Sequence, residues 1–423
     1  MELVLQLMKI LLKKATLIDP KNAFHYSIKD ILITNGIITA IEDDIVDETA
    51  EEIKYPNLHV SRGWFDSSVC FGEPGYEERE TLENGLKTAG ISGFSQVAVN
   101  PNTNPITDNQ SSVSYLKNAG NKFATQIFPI ASFSKNQDGK TLTELFDLKQ
   151  NGAIAFGDYK KPIKNAKLLK IGLQYAQRFN GLIVSNPTDM NIGFQGGVHE
   201  GEISTRNGLL GSPSLSEILQ IQRDVAVLEY TGGKLHIPCV SSAEGVELIR
   251  KAKNQGLNLS CSVALANLVF TDEELIDFDT LYKLDPPLRT ANDRNALRQA
   301  VIDGTIDLVT SNHEPLNIEL KHLEFDFATS GTTGLEAMYG VLSTLFPEEK
   351  VIAILTKGKD IFEIENTTIE VGQKANLSLF NPSGNNTLKE EHLISTSKNC
   401  AFINSPIQGT VYGVINNSQT TLK

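Results

Sequence analysis

Two positions in the run GWFDSSVCFGEPGYEERE, Ser68 and Cys70, raise the question of what chemistry this chain can do. Two apart on a strand, their side chains point to one face, which in a closed barrel can be the interior. A histidine pair at that spacing would grip a divalent metal. A serine hydroxyl is a poor zinc ligand, and a lone cysteine does not replace a chelating pair. The remaining chemically capable residues lie far apart in sequence: Asp158, Asn186, His236, Cys239, Asn312 and His313, with Asn102 in a loop rich in Asn and Pro. Cys70 and Cys239, meeting Asp158 or His236, would form an unconventional thiolate metal site. Two thiols and one acid undersupply such a site, so small cysteines that fill core space are the expected reading. A lone histidine at a strand end is more often a hydrogen-bonded structural group than a ligand. An aspartate opening a loop is at least as often a turn residue or helix cap.

The elements that must position these residues read as a βαβ series. Trp64 to Phe71 is a buried strand, EPGYEE a polar turn, and Thr81 to Ala89 has helical spacing with Leu82 and Leu86 four apart. Phe94 to Val99 is the next strand, and the connection is expected to be right-handed. Candidate strands are Phe65–Phe71, Phe94–Val99, Ala124–Ile130, Ala153–Phe156, Leu182–Ser185, Leu235–Val240, Asn258–Ser262 and Leu308–Thr310. Most precede helical segments such as SLSEILQIQRDVAVLEY and SAEGVELIRKAKNQG, which argues a (β/α)8 TIM-type barrel whose working residues sit at the C-terminal ends of its strands. Residues 8 to about 60 are strand-like, with Asn35-Gly36 as a hairpin turn. The far end, IEVGQKANLSLFNP and CAFINSPIQGTVYGVINN, is β-rich again.

The stretch from Gly63 to Asn109 resembles the dihydroorotase branch of the amidohydrolase superfamily. There the first strand reads Asp-x-His-x-His-x-Arg-Glu-Pro-Gly, and Pro-Asn-Thr-Asn-Pro follows the second strand. Here Asp66, Glu73-Pro74-Gly75 and Pro101-Asn102-Thr103-Asn104-Pro105 keep the frame, while Ser68 and Cys70 stand at the histidine positions and Gly72 at the arginine. The family's Ser-Asp-Asp becomes Gly157-Asp158-Tyr159. A metal-binding histidine falls on Asn186, and GGVHEGEIS (Gly196–Ser204) keeps the family's turn. His-x-x-His-Val-Ser becomes His236-Ile237-Pro238-Cys239-Val240-Ser241, and Thr-Pro-His-His becomes Ala264-Leu265-Ala266-Asn267. Thr-Asp-His-Ala-Pro-His becomes Ser311-Asn312-His313-Glu314-Pro315-Leu316. By this resemblance Asn312 replaces the general base, and an amide cannot accept and return a proton near neutral pH. Leu316 removes a histidine that helps hold the substrate carboxylate, and of that Arg, Asn and His set only Asn102 remains.

The resemblance implies a β-sandwich built from residues 1–62 and 363–423 beside a barrel over 63–362, with Asn376 at an aspartate of the family's Gly-x-x-Ala-Asp-Leu. It implies no catalytic residues, since the general-base position is the degenerate Asn312. It implies no cofactor although the family uses zinc, since Ser68, Cys70, Asp158, Asn186 and Cys239 are degenerate ligand positions. Asn102, His236 and His313 are read as remnants of the pocket. Three functions stay open: a non-catalytic structural or regulatory subunit in the setting of pyrimidine biosynthesis, an amidohydrolase with a remodelled site acting on a cyclic amide, and a sensor using the old pocket. The first is favoured, because the frame persists at strand after strand while its chemistry is gone. The family's inactive chains that scaffold aspartate carbamoyltransferase make that enzyme the first partner to test, and a homo-oligomer is expected.

Composition narrows the partners further. A net charge of −13 over 423 residues, with no long basic run, argues against nucleic acid, whose phosphates call for clustered Lys and Arg. Cys70, Cys239, Cys261 and Cys400 are widely spaced and suggest neither a zinc ribbon nor a disulfide framework, which fits a cytoplasmic protein. MELVLQLMKILLKKATLID is too short and too charged for a membrane span and lacks a small-residue cleavage site. Met8 begins a segment that resembles the family's usual start, so residues 1–7 read as an upstream start-codon extension with no targeting role.

Overall fold

The computed structural model describes residues 8–193, 197–416 and 418–423. The proposed extension at residues 1–7 and residue 196 of the GGVHEGEIS run lie outside the described residues.

Eight parallel strands pair in chain order: Trp64–Val69, Phe94–Val99, Gln126–Ala131, Ala155–Phe156, Leu182–Val184, Lys234–Ile237, Leu259–Ala264 and Leu308–Thr310. Every expected strand is present, Phe94–Val99 and Leu308–Thr310 with the expected bounds and the other six with shifted ends. The sixth stops at Ile237, because Pro238 has no N–H to donate to the ladder and Cys239 takes a left-handed backbone (φ 50°). The first crossover helix, Leu82–Ile91, is capped by Thr81, whose side chain accepts from the Asn84 N–H at 3.2 Å, and it buries Leu82, Leu86 and Ala89 against the barrel. The two longer expected helical segments form Ser214–Thr231 and Ala243–Asn254.

The barrel closes without a regular ladder between its eighth and first strands. An isolated bridge joins Val69 to His313, and the Cys70 N–H donates to the His313 carbonyl at 2.8 Å. Asp66 holds the rest of the seam and is wholly buried. Its carboxylate accepts from Thr310 Oγ1 at 2.5 Å, from the Ser311 N–H at 2.9 Å and from the Ser68 N–H at 3.0 Å. Asp66→Ala strands these donors in a dry seam. It is expected to cost about 2–4 kcal/mol, with Asp66→Asn losing less because it keeps one acceptor. Urea midpoints of both variants check this, and an unshifted Asp66→Ala would show that the seam is held elsewhere.

The two chain ends meet in one mixed sheet, in the order Gln419–Leu422, Pro406–Asn416, Asn376–Thr387, His59–Arg62, Lys9–Ile18, Ile28–Thr34 and Ile37–Glu42. Strand Glu51–Ile53 also pairs with Lys9–Ile18. Asn35 (φ 49°) and Gly36 (φ 77°) make the left-handed hairpin turn that their types favour. Ile10, Leu12 and Leu17 from one end pack with Leu377, Leu379 and Ile415 from the other, so neither end has this core alone. Asn376 ties the sheet to the barrel, its side-chain oxygen accepting from Ser95 Oγ at 2.5 Å. Among the described residues no helix is long and apolar enough to cross a membrane.

Candidate functional site

The C-terminal strand ends surround a small chamber. Ser68, Asn100, Tyr159, Lys160, Asn186, His236, Cys239, Ser262 and Asn312 line it, with Asp285 from the loop after the seventh strand. The centre of a water molecule can occupy about 40 Å³ of this space, room for a few waters.

The first strand brings Ser68 to the chamber, while Cys70, just past the strand's end at Val69, is not among the lining residues. Ser68 Oγ accepts from Asn100 Nδ2 at 3.0 Å, and Cys70 is buried. Burial pushes the Cys70 thiol up to about 12, with the nearby Glu314 charge adding to it, so the sulfur stays protonated near neutral pH. Cys239 reaches the chamber from the sixth strand, and burial raises its thiol to about 12 as well. A protonated thiol is a weak metal ligand. Asn186 lines the chamber, and its Oδ1 has no partner among the described residues.

Asp158 is not among the lining residues. Its carboxylate turns back into the loop after the third strand, where it accepts from the Ser132 hydroxyl at 2.7 Å, the Ser134 N–H at 2.9 Å and the Ser134 hydroxyl. Burial raises its pKa. Tyr159 has a left-handed backbone (φ 55°) and packs its phenol beside Cys70, burial pushing that phenol's pKa well above its ordinary value. The next residue, Lys160, enters the chamber. Its Nζ donates to Glu314 Oε2 at 2.6 Å and lies 3.7 Å from Asp285 Oδ2. Burial alone would lower the lysine pKa, but Glu314 and Asp285 outweigh it and hold the ammonium charged.

The eighth strand leads to Asn312, left-handed at φ 48°, whose Nδ2 donates to the Asp285 carbonyl at 3.0 Å. Its amide is thus committed to loop structure. Of the pocket remnants, His236 lines the chamber between Ser260 Oγ (2.9 Å) and Ser262 Oγ (3.2 Å). His313 and Asn102 are not among the lining residues. His313 is wholly buried, and its Nδ1 accepts from the Gly334 N–H at 3.2 Å. Gly72 leaves no room for a side chain, since a Cβ there would lie 1.8 Å from the Tyr76 carbonyl oxygen. Leu316 is buried.

Sequence reasoning missed Lys160, Asp285 and Glu314. The signal was a lysine directly after Tyr159 and an acid, Glu314, within the Ser311–Leu316 run, but nothing in the sequence pairs them with Asp285. Zinc does not fit this donor set. Serine is engaged with Asn100, both thiols are protonated, Asp158 is committed elsewhere, and an ammonium already carries positive charge. Among the described residues no three His, Cys, Asp or Glu side chains gather where they could hold a metal ion.

A parallel eight-stranded barrel with its chamber at the strand ends, beside a sheet made from both chain ends, places the protein in the amidohydrolase class of folds. L-hydantoinase (dihydropyrimidinase) from Arthrobacter aurescens superposes with a TM-score of 0.82 at 20% identity, over 98% of this chain and 96% of that one, a likeness of fold alone. The chain belongs to the dihydroorotase family. Residues 60–245 match the dihydro-orotase-like family model. The chain is 34% identical over 415 residues to the dihydroorotase of Pelotomaculum thermopropionicum, covering 96% of this chain and 97% of that one. It is 35% identical over 413 residues to that of Syntrophus aciditrophicus, covering 96% and 97%.

Proposed function

We propose that this family member is a non-catalytic structural or regulatory subunit in the setting of pyrimidine biosynthesis, with aspartate carbamoyltransferase as the partner to test first. One observation carries the reading: the ring of strand ends that would gather metal, base and substrate encloses a space for a few waters around the chain's own lysine. A chamber that small also weighs against a metabolite sensor. Selection for a folded surface preserves barrel layers and helix packing while strand-end chemistry drifts, because the two are separable.

The loops over the strand ends offer a face for a partner. They are tied together by Asn207 Nδ2 donating to the Leu275 carbonyl and Thr280 Oγ1 to the Lys321 carbonyl, both at 2.9 Å. They expose Leu210, Phe278, Ile318 and Phe327 beside the exposed acids Glu273, Asp277, Glu319 and Asp326. Such a face suits an apolar partner surface with a basic rim.

Two measurements test the proposal. The purified protein is expected to carry far less than one zinc per chain and to leave dihydroorotate intact after incubation with added zinc. One or more zinc ions per chain together with turnover would return it to the enzymes. The native chain is also expected to co-elute with its own organism's aspartate carbamoyltransferase and to change that enzyme's activity or assembly. A transferase that assembles and works identically alone, and never co-elutes, removes the scaffold reading.

A further inference from the structure

We propose that the strand-end chamber is a site for a primary ammonium group, filled in cis by Lys160. The site is assembled from three separate elements: Lys160 after the fourth strand, Asp285 after the seventh and Glu314 after the eighth. All three side chains are largely shielded, with exposures of 16%, 11% and 13%. Glu314 is held on both sides. Its N–H donates to the Thr332 carbonyl at 2.8 Å, and its carbonyl accepts from Asn399 Nδ2 at 2.9 Å. Gly331 backs the carboxylate so closely that a Cβ there would lie 2.7 Å from Glu314 Oε2. The anion is therefore fixed in place before any cation arrives.

The surroundings select an alkylammonium over a bare ion. The Lys160 Nζ lies 5.5 Å from the centre of the Tyr159 ring, within the range of cation–π attraction. Asn186 Oδ1 and Ser67 Oγ belong to the chamber's lining residues, are buried, and have no partner among the described residues. They are acceptors for N–H groups or for the few waters around them. A divalent transition metal finds no comparable set: among the described residues no three His, Cys, Asp or Glu side chains gather to hold one, and His236 lies between the Ser260 and Ser262 hydroxyls. The ammonium links strand ends four, seven and eight and neutralises buried carboxylate charge at the centre of the barrel mouth. This inference stands whether or not the partner proposed above is correct.

Two side-chain changes test it. Lys160→Met keeps the length and removes the charge. It is expected to lower the melting temperature by roughly 5 °C, because breaking a buried ion pair leaves a carboxylate uncompensated. Lys160→Ala vacates the stem, and n-propylammonium chloride at tens of millimolar is expected to raise that variant's melting temperature selectively. Equal sodium chloride, tetramethylammonium chloride and propan-1-ol are expected not to do so, and the unsubstituted chain is expected not to respond. Lys160→Met with Glu314→Gln is expected to be more stable than Lys160→Met alone, and this comparison decides the matter where Lys160→Ala fails to fold. A Lys160→Met chain as stable as the original, propan-1-ol matching n-propylammonium, or a double variant weaker than the single one would each overturn the proposal.

Discussion

Gly72→Arg is expected to destabilise the fold by roughly 3 kcal/mol or more and to give no turnover of dihydroorotate. The cause is crowding at the first side-chain atom. A Cβ on residue 72 would lie 1.8 Å from the Tyr76 carbonyl oxygen, 2.7 Å from its carbon and 3.0 Å from the Glu80 carbonyl oxygen. These are backbone atoms in a turn folded onto the glycine: the Gly72 N–H donates to the Glu80 carbonyl and the Tyr76 N–H to the Gly72 carbonyl, both at 2.9 Å. Any side chain must break that turn, so Gly72→Ala is expected to lose most of what Gly72→Arg loses. Urea unfolding of the two variants measures this, and an alanine variant with an unshifted midpoint would refute the steric account. The consequence reaches function. Where the family resemblance places a substrate-gripping arginine, this chain has closed the space with its own backbone. Ser68→His with Cys70→His is therefore expected to gain no activity, because groups that act as a unit are strongly non-additive.

Most barrel strands were legible because they are short, largely apolar, often β-branched runs between turn-forming residues, as at Phe94–Val99 between Gly93 and Asn100. What closes the barrel was not legible, since Asp66 meets Thr310 across 244 residues of chain. Of the candidate site, the residue types at the strand ends were legible and their arrangement was not. Ser68, Cys70, Asn186, Cys239 and Asn312 stand at strand ends where their positions in the strands place them, and four of those five line the chamber, with Cys70 just behind. The occupant was hidden because Lys160 and Glu314 are 154 residues apart. Asp158 was hidden for another reason. The backbone turns left-handed at Tyr159, sending Asp158 towards Ser132 and Ser134 and Lys160 inward. Cys239 and Asn312 share that left-handed state at their own strand ends. A tyrosine or cysteine held at positive φ is strained, and its type gives no hint of it.

Acid is expected to weaken this fold through its two buried histidines, by roughly 3 kcal/mol for each as the pH falls to about 4. Burial pushes His236 down to about 4 from an ordinary value of 6.5, with Asp307 and Lys253 contributing smaller, opposed effects. Burial alone pushes His313 down to about 3. The geometry agrees with both directions. His313 Nδ1 accepts from the Gly334 N–H, which a proton on that nitrogen would forbid, and the ring is wedged edge-on against Phe71. His236 sits between two serine hydroxyls and near the Phe362 ring, with no carboxylate among the described residues in hydrogen-bonding contact. The unfolded chain therefore takes up protons near 6.5 while the folded one refuses them until about 4 and 3. Stability is full above about pH 6.5 and falls steadily below it, the slope easing only as each folded histidine finally titrates. Neutral replacements separate this from the general effect of protonating carboxylates. His236→Gln and His313→Gln are each expected to lose stability near pH 7, from imperfect packing, yet to show a shallower decline between about pH 6.5 and 4. Urea midpoints over that range give the slopes. If both variants decline as steeply as the parent, the histidines are not the source of acid sensitivity, and the carboxylates whose pKa the fold lowers, Asp30, Asp303 and Glu363, become the groups to replace next.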